Sequence, residues 1–198
     1  MKRILALVVI LVTALSIYAQ KKVVIVSSSP RKDGNTEQLC KEFMRGAKEA
    51  GNTVEMIRLN DYKINFIDEA EVDSGMHGVR SLSKRDDAAM ILEKMDSADV
   101  IVLASPVYFM NITGQMKTLM DRTFSTNVGM SSKEYYYITA CTDNSESTAD
   151  CAIRGFDGYT MCLPGSEVKG MIKAYGCQDR GSAGKYMDAA YKLGKSVK

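Results

Sequence analysis

The stretch Val23-Val24-Ile25-Val26-Ser27-Ser28-Ser29-Pro30-Arg31-Lys32-Asp33-Gly34-Asn35-Thr36 decides how this chain reads. Its first four residues are a short, all-apolar, β-branched run, the pattern of a parallel strand buried on both faces. A polar loop follows, and Leu39, Cys40, Phe43, Met44, Ala47 and Ala50 then recur at helical spacing until Gly51 stops the pattern. The spacing predicts a helix over 36–50, with Asn35, and Gln38 three residues on, able to cap it.

Outward from this unit the same alternation repeats. Residues 53–59 alternate as a strand, 88–98 repeat with a helical period, and Val100-Ile101-Val102-Leu103-Ala104 is a second fully apolar strand. Met116, Leu119, Met120 and Phe124 mark a helix face, and 135–140 reads as another strand. The last third is less regular, with helical character over 147–162 and 183–193 and a strand over 167–175. Alternating strands and helices imply an open parallel sheet with helices on both faces. Five strands suggest the flavodoxin-like order 2-1-3-4-5, a three-layer α/β/α sandwich. The polar, glycine-containing stretch 61–85 reads as an active-site or dimer loop.

With 198 residues, 45% apolar and 25% charged, the chain fits one globular domain after an N-terminal segment. That segment places Lys2-Arg3 before an apolar run from Ile4 to Leu15 and ends Ser16-Ile17-Tyr18-Ala19. It reads as a secretory signal over 1–19, followed by one domain over 20–198, which makes the protein exported and periplasmic. The alternatives are an uncleaved membrane anchor, for which the run is slightly short, and a first strand. With Lys2 and Arg3 set aside, the remaining 24 basic residues equal the 24 acidic ones, so nothing asks for a nucleic-acid partner. The five cysteines include no C-x-x-C pair, and the single histidine, His77, reads as a solvated loop residue. No metal site is suggested. Cys141 and Cys177 follow neighbouring strands and could approach each other at the sheet's carboxyl edge, where a disulfide between them is possible.

In such sheets ligands bind beyond the carboxyl ends of the strands, near the point where strand order reverses. The loop Ser27 to Thr36 brings hydroxyls, a guanidinium and free N–H groups to a helix start, which is what a phosphate monoester needs. A capped polar turn would explain Gly34 and Asn35, but not Arg31 with three serines. The loop Ser105-Pro106-Val107-Tyr108-Phe109-Met110-Asn111 puts two aromatics at a strand end, either as a wall for a flat ring or as core or dimer contacts.

Taken together, Ser29-Pro30-Arg31-x-x-Gly34-Asn35-Thr36, then Ser105-Pro106-Val107-Tyr108-Phe109-x-Asn111-x-x-Gly114-Gln115-x-Lys117 and Asp121-Arg122, resemble the NADPH-dependent FMN reductase and iron-sulfur flavoprotein branch of the flavodoxin-like superfamily. The resemblance implies FMN, its phosphate at Ser29, Arg31, Asn35 and Thr36. It implies an isoalloxazine along Pro106, Val107, Tyr108, Phe109 and Asn111, with further contacts from Thr142 and Asp143. Many relatives carry closely spaced cysteines between the second strand and second helix; residues 60–85 hold none, so no iron-sulfur centre is expected. The function implied is an FMN-binding oxidoreductase, with NAD(P)H as donor, a small-molecule or protein redox partner, and a homo-oligomer, a dimer, as assembly. NAD(P)H is scarce outside the cytoplasm, which sits uneasily with export. A non-enzymatic flavodoxin-type electron carrier is the alternative, and a module that kept the fold without the cofactor a third. The cofactor carries the chemistry, so no catalytic acid or base is nominated.

Overall fold

The computed structural model describes residues 19–73 and 86–198, so the expected signal segment and His77 lie outside the described residues. In chain order the elements are β1 Lys22–Ser27, α1 Asn35–Glu49, β2 Thr53–Arg58, a 3₁₀ turn Leu59–Asp61, α2 Glu69–Asp73, α3 Ala88–Asp96 and β3 Val100–Pro106. There follow α4 Gly114–Arg122, a 3₁₀ turn Phe124–Thr126, α5 Asn127–Met130, β4 Glu134–Ala140, α6 Glu146–Thr160, β5 Glu167–Ala174, a 3₁₀ turn Ser182–Tyr186 and α7 Met187–Lys195. The five strands form one sheet in the order β2-β1-β3-β4-β5, every pair parallel. This is the flavodoxin-like arrangement. The short helices α2 and α5 and the 3₁₀ start of the last helix are additions to the expected pattern.

Alternate residues of the central strands serve the two faces. Val24, Val26, Ile101, Leu103, Tyr135 and Tyr137 pack against Ile91, Leu92, Leu119 and Phe156 of α3, α4 and α6. Val23, Ile25, Val100, Val102, Tyr136 and Ile138 pack against Leu39, Phe43 and Ala190 of α1 and α7. Each such aliphatic side chain contributes roughly 1.5–3 kcal/mol on burial. Helices α1 and α7 come so close that a Cβ at Gly46 would stand 2.1 Å from the Tyr191 carbonyl oxygen, and one at Gly194 would stand 2.0 Å from that of Phe43.

One buried ion cluster stitches the segment after β2 to α4. The Arg122 side chain is fully buried; its Nη1 donates to the Asn65 carbonyl at 3.0 Å and to Asp86 Oδ2 at 2.6 Å, and its Nη2 to Glu71 Oε1 at 2.7 Å. Asp86 also accepts the N–H groups of Asn65 and Ala88. Burial by itself raises the Asp86 carboxyl, but the Arg122 hydrogen bond and the two N–H donors outweigh it and hold the group below the usual carboxylate range.

The expected cap of α1 is corrected. Gly34 occupies the N-cap position with extended backbone, and Asn35 is the first helical residue. Gln38 does reach back, its amide donating to the Asp33 carbonyl at 2.9 Å. Asn35 has left the capping role because its side-chain amide is engaged across the molecule, as described next.

Candidate functional site

Strands β1, β3, β4 and β5 end at one edge of the sheet, and their following loops surround a shallow groove of about 80 Å³. The loop after β1 is anchored by Ser28, whose N–H donates to the Ala104 carbonyl at 2.9 Å, tying it to β3. Ser29 Oγ accepts the Arg31 N–H at 3.3 Å, and the Gly34 N–H donates to the Arg31 carbonyl at 3.1 Å. The loop is thereby wound back on itself. A Cβ at Gly34 would lie 3.0 Å from Arg31 Cβ and 3.1 Å from its carbonyl oxygen, so the winding favours glycine by close approach rather than by φ. Directly behind it, the N–H groups of Asn35, Thr36 and Glu37 open the helix and have no acceptor within it. Thr36 is buried, its hydroxyl has no hydrogen-bond partner among the described residues, and the guanidinium of exposed Arg31 has no ion-pair partner there either.

A carboxylate beneath this positive edge is neutralised. Glu37 is buried, takes the Arg58 Nε at 2.9 Å and the Lys41 ammonium at 3.1 Å, and accepts the Asp33 N–H at 3.1 Å. It thus holds Asp33 at φ +54° and completes the turn.

The loop after β3 forms the facing wall. Ser105 Oγ accepts the Thr113 N–H at 3.0 Å, and the Val107 N–H donates to the Ala140 carbonyl at 2.9 Å. Tyr108 and Asn111 exchange both backbone hydrogen bonds, at 3.0 and 3.1 Å, around a tight turn with Phe109 at φ +49° and Met110 at φ +62°. That turn swings Phe109 wholly into solvent, at 103% relative exposure. Asn111 Oδ1 accepts the Ile112 N–H at 2.8 Å.

From β4 and β5 come Cys141 and Cys177, both buried and both lining the groove. Cys177 donates its N–H to the Cys141 carbonyl at 2.8 Å, carrying the pairing of the two strands past their ends. Burial, with the neighbouring Cys177 and Asp143 adding to it, pushes the Cys141 thiol up to about 11. Burial likewise raises Cys177, against the Lys185 charge. The expected approach of these two cysteines is found, but not the disulfide: both are free thiols. Asn35 holds the last wall in place. Its Nδ2 donates to the carbonyls of Cys177 at 3.3 Å and Asp179 at 2.8 Å and to Ser182 Oγ at 3.3 Å, while its Oδ1 accepts the N–H groups of Gly181 at 3.0 Å and Ala183 at 3.2 Å.

Of the residues expected at a cofactor, Ser29, Arg31, Asn35, Thr36, Pro106, Val107, Tyr108 and Thr142 line this groove. Phe109, Asn111 and Asp143 do not: Phe109 points outward, Asn111 closes its own turn, and the Asp143 carboxylate accepts the Ser145 N–H at 2.9 Å. Gly34, Ala140, Cys141 and Cys177 line it without having been expected there. Among them Gly34 had a signal in the loop motif it belongs to, and the cysteines in their position just past paired strands; Ala140 had none. The residues fit FMN: unshared N–H groups, a hydroxyl and a guanidinium suit a phosphate, and Pro106 to Tyr108 offer a wall for a flat ring. A larger hollow of about 340 Å³ lies at the opposite edge of the sheet. Its charges answer one another, Lys21 pairing with Glu134 at 2.7 Å and Lys133 donating to the Asp96 and Ala98 carbonyls, so it offers a ligand little.

Residues 21–149 match the NADPH-dependent FMN reductase family. The chain belongs to that family. It is 38% identical over 111 residues to an iron-sulfur flavoprotein of Methanocaldococcus jannaschii, a match covering 54% of each chain. The chain thus spans about half the length of that curated relative, and of the Archaeoglobus fulgidus iron-sulfur flavoprotein to which it is 36% identical. Among solved structures it is similar to an NAD(P)H:quinone oxidoreductase from Methanothermobacter marburgensis, with a TM-score of 0.69 at 16% identity over 91% of this chain and 97% of that one. It is also similar to an FMN-dependent NADH-azoreductase of Bacillus anthracis solved in complex with FMN, at TM-score 0.62, 19% identity, and 89% and 97% coverage. At these identities the structural likeness speaks for the fold.

Proposed function

We propose that the chain is an FMN-dependent oxidoreductase that takes electrons from a reduced nicotinamide donor and passes them to a small-molecule or protein acceptor. The observation that carries this reading is the meeting, at one groove, of the Arg31 guanidinium, the Thr36 hydroxyl and the helix-start N–H groups, none answered among the described residues, with the Pro106–Tyr108 wall. In this reading Arg31, Ser29, Thr36 and the start of α1 take the FMN phosphate, and Pro106, Val107 and Tyr108 flank the ring, with Thr142 at its rim. Bound FMN supplies the two-electron chemistry, and the chain orients it. Membership of a reductase family does not favour the electron-carrier alternative. The test is a flavin titration of the purified protein followed by anaerobic addition of NADH or NADPH. Binding of FMN and bleaching of its absorption by either nucleotide are expected; a protein that takes up no FMN would end the reading.

Two finer points belong to the same proposal. The Lys2-Arg3 start, the apolar run and the Ala19 boundary support export to the periplasm with cleavage after Ala19, to be read from the intact mass of the exported protein. The exposed apolar side chains Phe66, Val72, Phe124 and Met161 support association of two copies, which sedimentation of the purified protein measures.

A further inference from the structure

We propose that Cys141 and Cys177 are a redox-active thiol pair in the wall of the cofactor groove, a second two-electron centre that closes to a disulfide and is reopened by electrons from reduced FMN. The electron source rests on the functional reading above; the pair itself does not. Neighbouring strands run about 4.7–4.9 Å apart. The Cys177 N–H to Cys141 carbonyl hydrogen bond, at 2.8 Å, shows that this spacing continues to the two cysteines. A disulfide spans Cα atoms about 4.4–6.8 Å apart, so closure asks for side-chain rotation and little backbone movement. The sulfurs now make only weak contacts, Cys141 Sγ with the Asp143 carbonyl at 3.7 Å and Cys177 Sγ with that of Tyr175 at 3.8 Å, which rotation gives up cheaply.

The other cysteines are placed differently. Cys40 lies in the core, while Cys151 and Cys162 are on α6 and just past its end, away from the groove. Burial raises both groove thiols, so closure runs through a small thiolate fraction at neutral pH and quickens as pH rises. Closure is an exchange with an external low-molecular-weight disulfide: one thiol displaces half of it as a thiol and forms a mixed disulfide. The second thiol then attacks the bound sulfur, so that two external thiols leave and the Cys141–Cys177 bond remains. In the reverse direction the disulfide accepts two electrons and two protons, giving two protein thiols and oxidised FMN.

The test has a flavin-free and a flavin-loaded arm. Wild-type protein without flavin is incubated with glutathione disulfide, alkylated after denaturation and mapped by mass. A peptide linking Cys141 to Cys177 is expected, with Cys40 alkylated and Cys151 and Cys162 alkylated or carrying glutathione. Alkylation of both groove thiols, or linkage through Cys151 or Cys162 instead, overturns the proposal. In the second arm the oxidised, FMN-loaded protein is titrated anaerobically with dithionite, following the flavin band. Uptake of about four electrons per FMN is expected in the wild type and about two in Cys141→Ser and Cys177→Ala. Equal uptake in all three overturns the electron exchange. Failure of the protein to load FMN would strike the functional reading, whereas the cross-link in the first arm would still uphold the pair.

Discussion

Two arginines of one sequence pattern, Arg31 and Arg122, have opposite surroundings. Arg122, at the end of α4, is fully buried, and a carbonyl and two carboxylates claim its fork. Arg31, in the loop after β1, is exposed, and no side chain among the described residues answers it. A guanidinium whose acceptors lie within the chain holds the scaffold. One left unanswered beside the open N–H groups of a helix start is directed at something the chain does not contain.

The largest expected effect follows from removing the satisfied arginine. Arg122→Ala takes the cation from buried Asp86 and the fork that ties Asn65 and Glu71 to α4, and should cost about 3–5 kcal/mol in a urea unfolding experiment. The Asp86 carboxyl lies below its unfolded value of about 3.9, so its contribution is full above that pH and is lost as pH falls through the folded value. The stability gap between wild type and variant should accordingly narrow on acidification. FMN affinity of the folded variant should be unchanged; a loss as large as that from altering Arg31 would break the contrast.

Arg31→Ala should leave the urea midpoint where it is and weaken FMN. A charge-assisted contact contributes about 1.5–3 kcal/mol, or roughly ten- to a hundred-fold in dissociation constant. Riboflavin, which has no phosphate, should bind wild type and variant alike. Fluorescence titration with both flavins reads the difference, and equal losses for the two would show that the loop shapes the groove without meeting a phosphate.

The sheet was legible because a strand covered on both faces must be apolar at every position, as Val23 to Val26 and Val100 to Ala104 are. The groove's two main walls were legible because they are the loops that follow those strands. What escaped depends on partners far along the chain. Asn35 meets groups 142–148 residues away, and Arg122 meets its partners at separations of 36–57, which no local pattern encodes. Phe109 turns outward through a left-handed turn built without glycine, although glycine or asparagine is the usual signal for one. The polar stretch after β2 read as a loop, and its role as the seat of Arg122's partners became visible only with α4 packed against it.

Asn35 stands between the two arginines in kind, since it faces the groove yet is consumed by the chain. Asn35→Ala removes five hydrogen bonds to the 177–183 loop and strands the N–H of buried Ala183, for about 1–2 kcal/mol of stability. Hydrogen exchange should speed up at Gly181 and Ala183 in particular. FMN should weaken less than in Arg31→Ala, and riboflavin by a similar factor, because a displaced wall is felt by both flavins. A loss confined to FMN would instead assign Asn35 to the phosphate.

The smallest expected effect sharpens what kind of contact Arg31 makes. Lysine keeps the positive charge but replaces a planar fork with a single ammonium, so Arg31→Lys should lose only the second hydrogen bond of a bidentate contact. That is about 0.5–1 kcal/mol, a two- to fivefold weakening of FMN with none for riboflavin. The same exchange at Arg122 should be far more damaging. Its three acceptors, Asn65, Asp86 and Glu71, are fixed around the fork at 2.6–3.0 Å, and one ammonium on a shorter head group cannot meet all three in a site closed to water. Arg31, by contrast, has solvent beside it to fill whatever lysine leaves. If Arg31→Lys weakened FMN as severely as Arg31→Ala, the loop would have to hold Arg31 in one geometry as rigid as that of Arg122, and the distinction between a scaffold arginine and a ligand arginine would fail at the level of mobility while surviving at the level of partners.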